Sequence, residues 1–124
     1  MEFDGLLKAL VLAVPGVRGA IFCDAEGESV CSVGASGRWS PESLDDFDLK
    51  VTGAQLATPL ERVEQARSAL GSLREMVVRG AGETLLVHAL KDGYYLVLCV
   101  DPDALAARAA PAARRLASHL AADI

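Results

Sequence analysis

Apolar residues recur at a helical spacing at the start of the chain. They lie three or four positions apart and so share one face of an α-helix of about three turns: Phe3, Leu6, Leu7, Leu10, Val11 and Val14. Pro15 cannot continue the hydrogen-bond ladder and Gly16 tolerates a turn, so we expect the helix to end there.

The pattern then changes to that of a β-hairpin. Residues 19–23 form a short apolar run, and residues 28–33 alternate polar and apolar side chains. Residues 24–27 (Asp-Ala-Glu-Gly) form the turn between them, with Gly27 placed for a positive φ. This arrangement predicts two antiparallel strands.

The middle of the chain again has a helical period. Residues 34–40 are a glycine- and serine-rich loop, and Ser40-Pro41-Glu42 has the composition of a helix start. Helical spacing continues to Leu70, and Gly71 ends it; the stripe contains Leu56, Leu60, Val63, Ala66, Arg67 and Leu70. Residues 58–61 (Thr-Pro-Leu-Glu) have the spacing of a second capping box. Two interpretations stay open: one helix kinked here, or a helix that begins again at Thr58.

Three strand patterns follow, at residues 73–79, 84–90 and 94–100. The last two are joined by a turn containing Asp92-Gly93, a strong hairpin signal. Residues 96–100 are apolar without interruption, which is typical of a strand covered on both faces, so we expect this strand at the centre of a sheet.

Asp101-Pro102-Asp103 predicts the start of a last helix, with Asp101 as its cap. Its stripe is Leu105, Ala109, Ala112, Leu116 and Leu120, and Pro111 should kink it. The order α-β-β-α-β-β-β-α predicts a single domain over residues 1–124, of the α/β (α+β) class. We expect a five-stranded antiparallel sheet with one long middle helix on one face and the first and last helices on the other.

Composition narrows the classes of function. Of 124 residues, 52% are hydrophobic and 23% charged, which is typical of a globular domain, but only 5% are aromatic. An alanine-rich core buries little area per residue, so a partner surface would complete it. The net charge of -5 argues against a nucleic-acid binder and against docking on anionic lipid.

The sequence offers no site for catalysis or for a cofactor. Cys23, Cys31 and Cys99 lie in or beside apolar stretches, without a CxxC pair, and are interpreted as reduced thiols of a cytoplasmic protein. His88 and His119 belong to no metal-binding or catalytic motif. No glycine-rich phosphate loop, secretory signal or apolar run long enough to span a bilayer is present. We therefore predict that the chain is not an enzyme and has no catalytic residue, metal or cofactor.

Two features point instead to protein binding. Residues 45–48 (Asp-Asp-Phe-Asp) are interpreted as a solvated helix start, as a cation site, or as a docking motif in which Phe47 and Leu49 are apolar anchors; both could equally be core residues. The strand at residues 73–79 would lie at a sheet edge, where unpaired backbone groups invite pairing. Its valines favour an edge-to-edge homodimer.

Several segments together resemble the roadblock/LC7 family: residues 14–20 (VPGVRGA), 24–27 (DAEG), 61–62, 66–71 and 73–80 (LREMVVRG). They span nearly the whole chain in the family's order. The resemblance implies a five-stranded sheet between one long helix and two flanking helices, with dimerisation through the middle helix and the third strand. Family members regulate or scaffold Ras-like small GTPases or serve as motor light chains.

Within that family the sequence is most similar to the bacterial MglB/MglC type, which works in cell polarity and gliding-motility reversal beside a Ras-like GTPase and response-regulator partners. Members that stimulate GTP hydrolysis carry a C-terminal extension, whereas this sequence stops at Ile124. Pro59 interrupts the middle helix, and Lys50 and Gln55 flank the small pair Gly53-Ala54. These departures favour an MglC-type adaptor.

The resulting hypothesis is a homodimeric, cytoplasmic adaptor, with recruitment to the cell poles, that binds a roadblock paralogue, a response-regulator-type protein or a Ras-like small GTPase. The expected dimer interface comprises Leu56, Leu60, Val63, Arg67, Leu70, Met76 and Val78. The expected partner-binding residues are Phe47, Asp48, Leu49, Lys50, Gly53 and Ala54. One alternative is a GTPase-activating regulator that contacts the GTPase directly. Another is a small-ligand-sensing domain using His88, Tyr94 and Tyr95.

Overall fold

A computed structural model describes residues 3–35, 45–66, 68–103, 106–122 and 124. The helices are α1 (Phe3–Ala13), α2 (Asp46–Gln55), α3 (Ala57–Ala66) and α4 (Ala106–Ala122). The strands are β1 (Val17–Cys23), β2 (Ser29–Gly34), β3 (Glu75–Arg79), β4 (Thr84–Ala89) and β5 (Tyr95–Val100). Single 3-10 turns lie at Ser68–Leu70 and Lys91–Gly93. Within the described residues, no helix is both long and apolar enough to cross a membrane.

The strands form one antiparallel sheet in the order β2-β1-β5-β4-β3. Every residue of β5 is buried, which confirms its predicted central position. The hairpin turns between β1 and β2 and between β4 and β5 lie at the same end of the sheet, because Cys23 pairs with Tyr95. This end is called the turn end below.

The sheet separates two cores. On one face α1 and α4 cover β-strand side chains that include Phe22, Leu96 and Leu98. On the other face the side chains of α2 and α3 cover Ile21, Val97 and Cys99. The predicted layers, with the first and last helices on one face and the middle helix on the other, are confirmed.

The middle helix is kinked rather than restarted. Only Leu56 separates α2 from α3, and its backbone remains in the right-handed helical region (φ -88°, ψ -16°). Pro59 has no N–H to donate to the carbonyl group one turn earlier, which accounts for the break. Thr58 therefore lies inside α3, and of the two interpretations left open the structure supports the kinked helix.

The helix starts differ in how they are capped. Asp45 caps α2, because its carboxylate accepts a hydrogen bond from the Asp48 N–H at 2.8 Å. The start predicted at Ser40 lies outside the described residues, as does Leu105 of the α4 stripe. Pro111 lies inside α4, and the helix continues beyond it to Ala122. The Asp101 carboxylate, predicted as a cap, accepts a hydrogen bond from Arg18 Nε.

Two glycines let α2 approach β1 closely. A Cβ atom on Gly19 would lie 2.6 Å from Leu49 Cδ2, and one on Gly53 would lie 2.7 Å from Cys23 Sγ. The buried Tyr95 hydroxyl donates a 2.7 Å hydrogen bond to the Gly53 carbonyl oxygen. Gly53 is therefore a packing residue of the interior.

We predict that Gly53→Ala destabilises the fold, although alanine normally favours a helix. The added methyl group must displace Cys23 and Ile21, at a cost of about 1–3 kcal/mol in the free energy of unfolding. The matched control is Gly82→Ala, where a Cβ atom meets nothing within 4 Å. Urea denaturation measures both; equal stability of the two variants would contradict the close approach.

Candidate protein-interaction surfaces

Strand β3 is an uncovered edge of the sheet. Its extensive contacts are with β4 alone, and it carries the exposed side chains of Val77 (49%) and Val78 (41%). The Gly80 N–H donates a 2.8 Å hydrogen bond to the Glu83 carbonyl oxygen. Hydrogen-bonded and non-hydrogen-bonded pairs alternate along an antiparallel ladder, so this bond shows which residues of β3 bond to β4. This alternation directs the backbone groups of Glu75, Val77 and Arg79 away from β4, to the outer edge.

The opposite edge, β2, is covered differently. Helices α1 and α2 both pack against this strand, one on each face. The Ser32 hydroxyl donates a hydrogen bond to the Asp46 carboxylate, which joins β2 to the start of α2. Val30 is the exposed large apolar residue of β2, at 44%. The two edges thus present valines of similar exposure, but within the described part of the chain no helix packs extensively against β3.

A cluster of polar side chains joins β3 to α4. The Arg114 guanidinium group donates a 2.7 Å hydrogen bond to Glu75, and His88 Nδ1 lies 3.6 Å from the same carboxylate. The hydrogen bond from Arg114 lowers the pKa of Glu75. Burial lowers the pKa of His88, an effect that the Glu75 charge opposes. His88 is therefore neutral at pH 7, and this cluster holds the edge strand in place.

The predicted dimer residues divide into two groups. Leu56 and Leu60 are 7% and 8% exposed and belong to the core between the helix and the sheet, so their assignment to a dimer interface is corrected. Val63 and Met76 are half-buried, while Leu70 and Val78 are exposed. Arg67 lies outside the described residues.

The predicted partner-binding residues also divide. Leu49 is fully buried, and the Cα of Gly53 faces Cys23, so neither residue is placed to contact a partner. Their assignment to the partner-binding surface is corrected. Phe47 is 73% exposed, and Asp48, Lys50 and Ala54 are exposed as well.

The outward residues of α2 form a stripe. Phe47, Lys50, Val51 and Ala54, here called the α2 stripe, have the spacing of one helix face. The Lys50 ammonium group lies 2.9 Å from the Asp46 carboxylate. Sequence reasoning missed Val51, which is 37% exposed; the signal was its position one helical turn after Phe47.

The three thiols and two tyrosines belong to the two cores or pack against them. Burial raises the pKa of Cys23 to about 11 and of Cys99 to about 12, so both remain protonated at neutral pH. Burial also raises the pKa of Cys31 to about 12. Among the described residues, no group of three or more His, Cys, Asp or Glu side chains could hold a metal ion. Of the ligand-sensing candidates, Tyr94 and Tyr95 line a groove at the turn end, whereas His88 does not.

No protein-family model and no curated protein matches this sequence. Solved structures do match its fold. A roadblock/LC7 domain from Streptomyces avermitilis aligns with a TM-score of 0.76 at 22% identity, covering 94% of this chain and 92% of that one. The chain therefore has the fold of roadblock/LC7 domains, as the sequence resemblance predicts.

Two neighbours belong to the expected bacterial type. The gliding protein MglB from Thermus thermophilus aligns with a TM-score of 0.80 at 22% identity, over 98% of this chain and 87% of that one. MglC from Myxococcus xanthus aligns with a TM-score of 0.72 at 22% identity, over 100% of both chains. The predicted similarity to MglB and MglC is confirmed.

We predict that the stability of the fold decreases as the pH falls below about 6.5, the ordinary pKa of histidine. The folded-state pKa of His88 is lower, so the unfolded chain binds a proton that the folded chain does not. Glu75 acts in a separate window, below its ordinary pKa of 4.5. Urea denaturation between about pH 7.5 and 5.5 should show a slope that His88→Gln reduces. His119→Gln, an exposed site, is the control; an unchanged slope in His88→Gln would refute the assignment.

Proposed function

We propose that this chain is a non-catalytic adaptor of the roadblock/LC7 type, which self-associates through β3 and binds a protein partner through the α2 stripe. The observation that carries the proposal is the uncovered β3 edge. Its outward backbone groups and its two exposed valines together favour pairing with another strand. A second copy of the chain offers the same surface, as a two-fold interface requires.

The ladder alternation restricts how two β3 strands can pair. Only Glu75, Val77 and Arg79 direct backbone groups outward, and an antiparallel two-fold pairing centred on Val77 uses all three of these residues. Glu75 then lies opposite Arg79 of the second copy, and the two carboxylate–guanidinium pairs are complementary in charge. Val78 and Met76 lie together on the α3 face of the joined sheets. The charges and the valines thus both favour this register.

We predict that Val78→Lys abolishes self-association, because it places two like charges in the joined sheet. Light scattering should give about twice 13.0 kDa for the wild type and 13.0 kDa for Val78→Lys. Val30→Lys makes the same change at the covered β2 edge and should remain a dimer. A monomeric wild type, or a dimer that only Val30→Lys disrupts, would contradict the proposal.

We further propose that this adaptor acts in a Ras-like small-GTPase system that controls bacterial cell polarity and motility reversal. The partner would be a roadblock paralogue, a response-regulator-type protein or the GTPase itself, and the site of action the cytoplasm and the cell poles. Likeness to a protein described as a gliding protein, and to MglC, supports this choice. The α2 stripe supplies an aromatic anchor among charged groups, a usual composition for a docking surface.

A second candidate is a GTPase-activating regulator. The higher TM-score to MglB than to MglC favours it. The α2 stripe holds one cation, Lys50, and Asp46 pairs with it. Stimulation of GTP hydrolysis in the cognate small GTPase would therefore require repositioning of the GTPase's own residues.

We predict that Phe47→Ala weakens partner binding about tenfold or more, because an exposed aromatic anchor loses its contact area. Stability should not change, since Phe47 is 73% exposed. Titration calorimetry with the cognate GTPase and the paralogue measures binding, with Val30→Ala as the control. GTP hydrolysis followed in the same mixtures separates the two candidates: the adaptor leaves the rate unchanged. Undiminished affinity of Phe47→Ala would exclude the α2 stripe.

A further inference from the structure

A large groove crosses the turn end of the molecule, separate from β3 and from the α2 stripe. Its volume is about 1120 Å³. Helix α3 forms one wall, and the last turns of α4 reach the other side with Ala117, Ser118 and Ala121. The hairpin turns after β1 and β4 complete it.

The charges around this groove are mainly negative. Glu61 and Glu64 of α3 line it together with Glu26 and Asp92 of the two turns, against one lysine, Lys91. The C-terminal end of α4, the negative end of the helix dipole, also borders it. None of the four carboxylates belongs to an ion pair found among the described residues. The groove therefore attracts positive charge.

Beneath the carboxylates, which are exposed, part of the groove lining is apolar. Leu73, Leu90 and Tyr94 line it with half-buried side chains, and its other lining residues include alanines. Small side chains leave room for a chain to approach the backbone, and the aliphatic and aromatic groups provide contact area. An apolar floor below a carboxylate rim fits an occupant that alternates basic and apolar side chains.

We propose that this groove binds a basic, extended segment of another protein, with lysine or arginine at the rim and apolar side chains on the floor. The volume exceeds that of ordinary small-molecule pockets, which is about 300–1,000 Å³. Nucleic acid is repelled by the same carboxylates. A protein bound here could occupy the chain at the same time as partners at β3 and on the α2 stripe.

The kink in the middle helix builds this site. Because the helix turns at Leu56 and Pro59, Leu60 points into the core while Glu61 and Glu64 line the groove. Gly27, in the β1–β2 turn, allows the close contact: a Cβ atom there would lie 3.2 Å from Ala54 and from Ala57. Pro59, a departure from the family's uninterrupted helix, thereby helps to shape the groove.

Fluorescence anisotropy with labelled peptides of about twelve residues tests the proposal. One peptide has lysines interspersed with leucine and valine, a second replaces each lysine by glutamate, and a third replaces the apolar residues by glycine. We expect saturable binding of the first alone, weakened by salt. Glu61→Lys/Glu64→Lys should lower its affinity about tenfold. The matched double reversal Glu28→Lys/Asp103→Lys, outside the groove, should change it less than about twofold.

Four outcomes would overturn the proposal. Equal losses of affinity in both double variants would show general attraction of the peptide to an acidic protein. Equal binding of the glycine peptide would show that the apolar side chains of the groove do not contribute to recognition. Amide shifts in NMR that map to the α2 stripe would place the peptide elsewhere. Binding by monomeric Val78→Lys but not by the wild type would show that a second copy covers the groove. Urea denaturation confirms that each exposed-site variant is folded.

Discussion

The constraint on which the molecule's organisation depends is the unpaired outer side of β3. The other strands have two neighbouring strands or flanking helices, but among the described residues β3 has a neighbouring strand, β4, on one side alone. Water satisfies its free N–H and C=O groups, so the edge carries little penalty in the monomer. The drive to pair comes from Val77 and Val78, whose apolar area is worth about 25 cal/mol per Å² when removed from water. The Glu75–Arg114 hydrogen bond connects this strand to α4.

The middle helix serves two surfaces at once. One side inserts Leu49, Leu56 and Leu60 into the core, and Gly53 permits the approach to β1. The other side exposes Phe47 and Val51. In a helix with 3.6 residues per turn, residues about half a turn apart lie on opposite faces. Neighbouring residues of one short segment are therefore buried in the core or exposed to solvent.

Hydrophobic periodicity predicted the order of the elements, the layers and the central position of β5, because burial on one or both faces leaves a direct trace in the sequence. It did not predict which surface the apolar helix face containing Leu56 and Leu60 packs against. The same apolar face would suit packing on the chain's own sheet or on a second copy. Periodicity also could not reveal that Gly53 opposes Cys23, since that contact depends on the register between α2 and β1. The pairing of Glu75 with Arg114 joins residues far apart in sequence and has no local signal. Pro59 did signal a break, and the helical backbone of Leu56 resolved it as a kink.

Hydrogen exchange at the Val77 amide tests the central claim most directly. Its N–H points away from β4, so nothing within the described chain should protect it, and pairing with a second β3 should protect it fully. We expect slow exchange when the protein is concentrated and fast exchange when it is diluted below the dimer dissociation constant, with the β2 edge unchanged. Fast exchange of Val77 in a sample that light scattering shows to be dimeric would contradict the account, because the copies would then associate through another surface.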